Sequence, residues 1–281
     1  MLEADSSCWV VSEQIAAAVR FGYSEEAAPL TDAAIPIYGC ACRRGLNLPG
    51  VTMEDITNVI ELSLFPLNIV LFPGQVLPLH IFEDRYRLMI RRCLAEDTPF
   101  GVVLIKQGHE VGETAEPYPV GTVARIVESS HLPDGTMNIL TVGTERFRIR
   151  RLFHDQPYLR GEVEFFPMPE PADTEALTGL AERVRVQIGR YIELIAQAAG
   201  LQIQVGEIPE APQQMGYLAA VALQVENAEK QALLDSSSLA KILADEITLL
   251  RRENALLDWM ARNKEWPNQA QFGPSGTLLP N

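Results

Sequence analysis

The stretch that decides the fold runs Leu62-Ser63-Leu64-Phe65-Pro66-Leu67-Asn68-Ile69-Val70-Leu71-Phe72-Pro73-Gly74 and resumes as Leu77-Pro78-Leu79-His80-Ile81-Phe82-Glu83-Asp84-Arg85-Tyr86. Short apolar runs broken by proline, glycine and aspartate are strand-and-turn texture. Ile60 to Leu64 and Val76 to Ile81 therefore read as strands on either side of the Phe72-Pro73-Gly74 turn. At Asp84 the period changes. Tyr86, Met89, Ile90 and Cys93 recur at helical spacing with Arg87 and Arg91 opposite them, so a helix is expected from Asp84, capped by its carboxylate, to a point before Pro99.

Working outward, Phe100-Gly101-Val102-Val103-Leu104-Ile105 is continuously apolar, which predicts a strand buried on both faces at the centre of a sheet. Val120 to Leu132 and Met137 to Val142 flank Pro133-Asp134-Gly135-Thr136 and should pair as a hairpin. Further on, Phe147 and Ile149 alternate with Arg146, Arg148 and Arg150, and Val163 and Phe165 alternate with Glu162 and Glu164. A reversal near Asp155-Gln156 then sets Arg148 opposite Glu162 and Arg146 opposite Glu164, with Phe147 meeting Val163 on the buried face. Such a row is read as cross-strand charge pairing in preference to an acidic-ligand site.

The proline-rich run Pro167-Met168-Pro169-Glu170-Pro171 ends the strand region, because proline supplies no ladder donor. A helix capped by Asp173 or Thr174 follows, with Leu177, Leu180, Val184, Ile188, Tyr191 and Ile195 on one stripe and an end by Gly200. Further helices are expected over 213–225, 228–234 and 237–263. A serine among Ser236, Ser237 and Ser238 should cap the last of these, which carries Leu239, Leu243, Ile247, Leu250 and Leu257. The fold class is α+β, divided into a weakly ordered extension over 1–52, a β subdomain over 53–168, a helical subdomain over 169–265 and a flexible tail over 266–281. In the extension only 13–21 suggests a helix, too short to hold alone, and Met53 stands as an alternative start.

The formal net charge of −14 works against tight binding to a phosphate backbone, so nucleic acid is not expected as a partner. No apolar run approaches the roughly 20 residues of a membrane-spanning helix. The acidic start Met1-Leu2-Glu3-Ala4-Asp5 is unlike a secretory signal, which leads to a cytoplasmic expectation. Of Cys8, Cys40, Cys42 and Cys93 only one pair is close, and His80, His109, His131 and His154 are scattered, so no metal is expected.

Signs of catalysis are missing too. There is no Gly-Lys dipeptide for a phosphate-cradling loop and no Gly-x-Ser-x-Gly elbow. His109-Glu110-Val111-Gly112-Glu113 lacks the second histidine of a zinc-protease helix. Glu83 and Asp84 read as an arginine partner and a helix cap, and Arg85, Arg87, Arg91 and Arg92 as a solvated helix face. No cofactor and no catalytic residue is expected.

The opening stretch strongly resembles the start of the Lon protease substrate-binding domain. Phe100 to Leu104 and Val120-Gly121-Thr122-Val123-Ala124-Arg125-Ile126 look like that family's next two strands. Thr144-Glu145-Arg146-Phe147-Arg148-Ile149 and Pro157-Tyr158-Leu159 look like its final pair. The blocks follow family order over about residues 59 to 260. The resemblance implies a barrel-like β domain of the PUA class followed by a helical bundle, a fold related to a domain of cereblon, without the motor and protease of the full enzyme. It implies non-catalytic recognition of unfolded or damaged protein segments in quality control, working with a separate protease or motor. An RNA-binding module and an enzyme with an unrecognised pocket are the alternatives. Phe72, Leu79, Phe82 and Tyr86 are the candidates for an apolar peptide groove, with a core role as the competing reading.

Overall fold

The computed structural model describes residues 59–108, 115–169, 173–199 and 209–263. The expected extension over 1–52, Met53, the tail over 266–281, Cys8, Cys40, Cys42 and the His109-Glu110-Val111-Gly112-Glu113 run lie outside them. The described strands are β1 (Val59–Leu67), β2 (Val76–Ile81), β3 (Phe100–Gln107), β4 (Glu116–His131), β5 (Met137–Phe153) and β6 (Leu159–Phe165). The helices are α1 (Asp84–Glu96), α2 (Thr174–Ala199), α3 (Pro212–Ala222), α4 (Asn227–Asp235) and α5 (Leu239–Asn263). Together they make a mixed α+β chain. Among the described residues no helix is long and apolar enough to cross a membrane.

The strands form one sheet in the order β2-β5-β4-β3-β1-β6, and β6 also pairs with β5. Pairing therefore runs around β5, β4, β3, β1 and β6 and returns to β5, which is long enough to hold β2 along its first part and β6 along its second. All five strands of this circuit contribute to one apolar cluster of Leu62, Leu64, Val103, Val123, Phe147, Leu159 and Val163. The circuit is tight. A Cβ at Gly121 would lie 2.5 Å from the Val102 carbonyl oxygen and 2.8 Å from Phe147 Cζ, so the absence of a side chain there is what lets the Phe147 ring lie across the strands.

α1 covers a second cluster through Tyr86, Met89, Ile90 and Cys93, the face its periodicity predicts. Its start differs from expectation. Glu83, in extended conformation and without a side-chain cap bond, is the N-cap; Asp84 is in the first turn and pairs with Arg87. The N-terminus is instead anchored by side chains: Glu83 holds Arg85 at 3.0 Å, and Arg87 Nη1 donates to the Gly135 carbonyl at 2.9 Å, tying the helix to the β4–β5 turn. Arg87 is thus a structural tie and not a solvated face residue.

The β5–β6 pair corrects the predicted register. Arg148 faces Glu164, Arg151 faces Glu162, Phe147 faces Phe165 and Ile149 faces Val163, with an irregularity between Ile149 and Arg151. Phe147 and Val163 are both fully buried in the same cluster, as expected, but the Arg148–Glu162 and Arg146–Glu164 pairs do not form. Glu164 binds Arg150, and Arg148 reaches Asp235 at 3.5 Å. Arg146 is 2% exposed. It lies under α4, where Nη1 donates to the carbonyls of Leu234 and Ser236, each at 2.7 Å, and its guanidinium sits 4.7 Å from the Phe166 ring centroid. Two orphan carbonyls at a helix C-terminus thus accept from a cation, an arrangement that offsets its desolvation.

The helices share a core of their own through α2, α3 and α5. Asp173 caps α2 by accepting from the Ala176 amide at 2.9 Å, and Ser238 Oγ accepts from the Lys241 amide at 3.4 Å. α3 and α4 end at Ala222 and Asp235, close to the predicted limits. Sheet and helices are also welded together. Val70, Phe72, Leu104 and Val120 form one cluster with Tyr217, Leu233, Leu234 and Ile242, and buried Gln231 donates to the Val120 carbonyl at 2.9 Å.

Candidate functional site

β2 is the end strand of the sheet, and its two faces differ. Leu77 and Ile81 are buried and Leu79 is half-buried against the α1 cluster, so odd positions serve the core. Even positions turn outward. Val76, Pro78 and His80 are paired across the ladder with Val142, Leu140 and Asn138 of β5. Those residues in turn neighbour Arg125, Glu128 and Ser130 of β4. Directly opposed residues of an antiparallel pair share a face, so three strands present one outward surface. Its middle is apolar and its margins polar: Val76, Leu140 and Val142 are half-exposed, and Pro78, Arg125, Glu128, Ser130 and Asn138 are exposed.

Proline is at home on such an edge, where no partner strand needs its missing donor. Beyond β2 the exposed Phe82 ring, 53% accessible, stacks on His80 with centroids 6.2 Å apart. His80 Nδ1 is 2.7 Å from Asn138 Oδ1, which fixes the imidazole across the strand pair. At the turn, the Thr136 hydroxyl and amide donate to Asp134 and hold its carboxyl below the usual range, with a smaller contribution from His80. This surface offers apolar side chains, a stacked aromatic and hydrogen-bonding margins. It contains no paired nucleophile and base. No group of three or more histidine, cysteine or acidic residues that could hold a metal occurs among the described residues. Burial raises the pKa of the Cys93 thiol and keeps it protonated.

The family model described as the ATP-dependent protease La (LON) substrate-binding domain matches residues 61–252. The chain belongs to this family. The LON match contains the whole outward surface of β2, β5 and β4, together with the welded helices up to the middle of α5. A Lon protease 2 of Myxococcus xanthus is 29% identical over 212 residues, covering 74% of this chain and 25% of that protein. A Lon protease 2 of Syntrophobacter fumaroxidans is 31% identical over 182 residues, covering 62% and 22%. The chain thus spans about a quarter of the length of the curated Lon proteases it matches. Among solved structures, the N-terminal domain of a Mycobacterium avium complex Lon protease aligns over 68% of this chain and 98% of its own. Its TM-score of 0.50 at 17% identity speaks to the fold alone.

Within this LON domain the four residues singled out from the sequence do not converge. Phe72 is 1% exposed and packs 6.3 Å from the Tyr217 ring in the sheet–helix weld. Tyr86 is buried against Phe65, with ring centroids 4.1 Å apart, beneath the Arg85 guanidinium. Leu79 fills the edge of the same cluster, and Phe82 alone stands at the surface. The residues that sequence reasoning missed are Val76, Pro78, Leu140 and Val142. One signal was present: Val76-Leu77-Pro78-Leu79 is apolar at both parities, which an end strand with a solvated outer face has no need to be.

Proposed function

We propose that the chain recognises apolar segments of unfolded or damaged proteins on the outward face of β2, β5 and β4, performs no chemistry itself, and hands its clients to a separate protease or motor. The observation that carries this reading is the pairing of Val76 with Val142 and Pro78 with Leu140 on an outer face, flanked by Phe82, in a member of the LON substrate-binding family. Contiguous exposed apolar surface rimmed by polar groups is what a binding face for non-specific apolar segments requires. Phe82, with Leu79 beneath the same strand, is the part of the earlier candidate set that belongs to it; Phe72 and Tyr86 support it from the core. The closed circuit of pairings supports a PUA-like barrel over 53–168 with a helical bundle over 169–265.

RNA recognition is the second reading, and the arginine row of β5 and β6 is where it would have to act. Those arginines are largely neutralised: Arg148 by Asp235, Arg150 by Glu164, and Arg160 by Glu61 and Asp155. Together with the net charge of −14, this favours a protein client. The test is a titration of the whole chain against fluorescein-labelled β-casein, a natively unfolded protein, in parallel with Phe82→Ser and Leu140→Asp. Each substitution is expected to weaken binding by about tenfold, the equivalent of roughly 1.4 kcal/mol, without moving the thermal midpoint of the protein by more than a few degrees. Unchanged affinity in both variants would remove this face from consideration, and tighter binding to single-stranded RNA than to casein would favour the second reading.

A further inference from the structure

β4 runs on past its neighbour. It pairs with β3 only as far as Ala124, opposite Phe100, yet stays paired with β5 to His131. The reason lies just before β3. α1 ends in a left-handed residue, Asp97 at φ 50°, and Pro99 then supplies no amide for a ladder, so β3 starts too late to cover the rest of β4. From Arg125 to His131 one edge of β4 therefore has no strand beside it among the described residues.

The hairpin fixes which backbone groups face that edge. Leu132 donates to the Thr136 carbonyl at 2.9 Å, and the ladder bonds of an antiparallel pair alternate from there. Ser130 and Glu128 thus turn toward their partners Asn138 and Leu140, while Ser129 and His131 turn amide and carbonyl to the open side. The stretch contains no proline, and all of it but Ile126 is exposed. The edge of β2 is blunted by comparison: Gly143 donates to the Gln75 carbonyl at 2.9 Å, so the same alternation turns Val76, Pro78 and His80 away from β5, and Pro78 has no donor to offer. Where β3 falls short of β4, a cavity of about 50 Å³ opens, lined by Cys93, Leu94, Thr98, Pro99, Arg125 and Ile126. Leu94, Pro99 and Ile126 give it apolar walls and Thr98 and Arg125 polar ones, and its size suits one short side chain such as valine or threonine.

We propose that an extended segment of an unfolded client adds to the Arg125–His131 edge of β4 as a further strand, with one of its side chains in this cavity. The proposal rests on the reading of the protein as a binder of unfolded segments and names how they are held: by their backbone, in β conformation and free of proline. Donors and acceptors at strand spacing are matched by another extended chain. Two observations favour a client over a second copy. The ladder is irregular at Val127, between Ile126 and Glu128, and a strand twisted in this way pairs poorly with a rigid identical one, whereas an unfolded chain adapts to it. The edge also belongs to the strand whose outward side chains form one margin of the β2–β5–β4 surface, so the added strand widens that same surface.

The experiment uses the whole chain and follows, by fluorescence anisotropy, a labelled short peptide of alternating valine and threonine with lysine at each end. Its twin is N-methylated on the central residues, which removes backbone donors and leaves every side chain and charge in place. The peptide should bind, and the twin should bind at least about tenfold more weakly, because main-chain bonds supply the affinity in strand addition. Ser129→Pro removes a donor that faces the open edge and none that faces β5, and should weaken the peptide by a similar factor. Thr98→Phe, which fills the cavity without touching the ladder, should weaken it as well. Bound peptide should slow hydrogen exchange at the Ser129 and His131 amides. The proposal is overturned if the peptide does not bind, if the twin binds equally well, if both variants bind the peptide as the native chain does, or if those amides exchange no more slowly with peptide present. It is also overturned if sedimentation shows the chain pairing with itself and Ser129→Pro abolishes that pairing. Casein binding on the same samples separates the two readings: casein bound with no preference for the unmethylated peptide sinks strand addition alone, whereas loss of both sinks the client reading.

Discussion

Glu246 on α5 is fully buried, neither carboxylate oxygen has a hydrogen-bond partner, and a Cβ placed on Gly216 of α3 would lie 3.7 Å from Oε2. Desolvation, with Asp245 adding to it, pushes its pKa well above the usual carboxylate range. The native protein therefore holds a proton that the unfolded chain releases above about pH 4.5. Stability from this group is complete below the unfolded value and is lost as pH rises toward the native one, at about 1.4 kcal/mol per pH unit while the native carboxyl stays protonated. For a folded unit of this size that slope is roughly 3–6 °C in thermal midpoint per pH unit. Glu246→Gln keeps the shape and removes the titration. Thermal unfolding of both proteins from pH 5 to pH 8 should show midpoints that diverge as pH rises, with the glutamine variant the more stable. Glu246→Leu, which also removes the unsatisfied polar atoms, should exceed it by about 1–3 kcal/mol at every pH. Parallel curves for wild type and Glu246→Gln would refute the reasoning, because they would mean that the carboxyl titrates alike in the folded and unfolded chains.

Arg146→Ala should cost about 3 kcal/mol, since it strands the Leu234 and Ser236 carbonyls beneath α4, and denaturant unfolding would read the loss. If the loss stays below about 0.5 kcal/mol, that cation is not what holds the helix to the sheet. Gly121→Ala drives a methyl toward a backbone oxygen 2.5 Å away that cannot rotate aside, so about 3 kcal/mol of destabilisation or an insoluble product is expected. A near-normal thermal midpoint would show that the strand circuit opens more easily than its packing suggests. A chain beginning at Met53 retains the whole matched region 61–252 and should melt within a few degrees of the full chain. A much larger drop would assign Trp9, Val10, Ile15 or Phe21 to the core.

The elements themselves were legible because each is written in a local period. The continuous apolar run of β3, the Asp134-Gly135 turn of the β4–β5 hairpin, the buried face of α1 and the stripes of α2 and α5 depend on neighbours within a few residues, and all appear where that period puts them. Register was different. Alternation has a period of two, so the slip that moved Arg148 from Glu162 to Glu164 left Phe147, Ile149 and Val163 on their expected face; the irregularity between Ile149 and Arg151 then changes the parity and sets Arg151 opposite Glu162, which no alternating pattern predicts. Arg146 shows the same limit in another form. Its place in an outward arginine row was visible in the strand, but the helix 88 residues further along the chain that covers it and accepts its hydrogen bonds was not. The candidate site was half legible for the same reason. The sequence showed apolar residues on a strand at Val76 to Ile81, whereas the decision that Phe72 and Tyr86 go inside while Val76, Pro78, Leu140 and Val142 share an outer face belongs to the pairing of β2 with β5 and the packing of α1, contacts that no local pattern encodes.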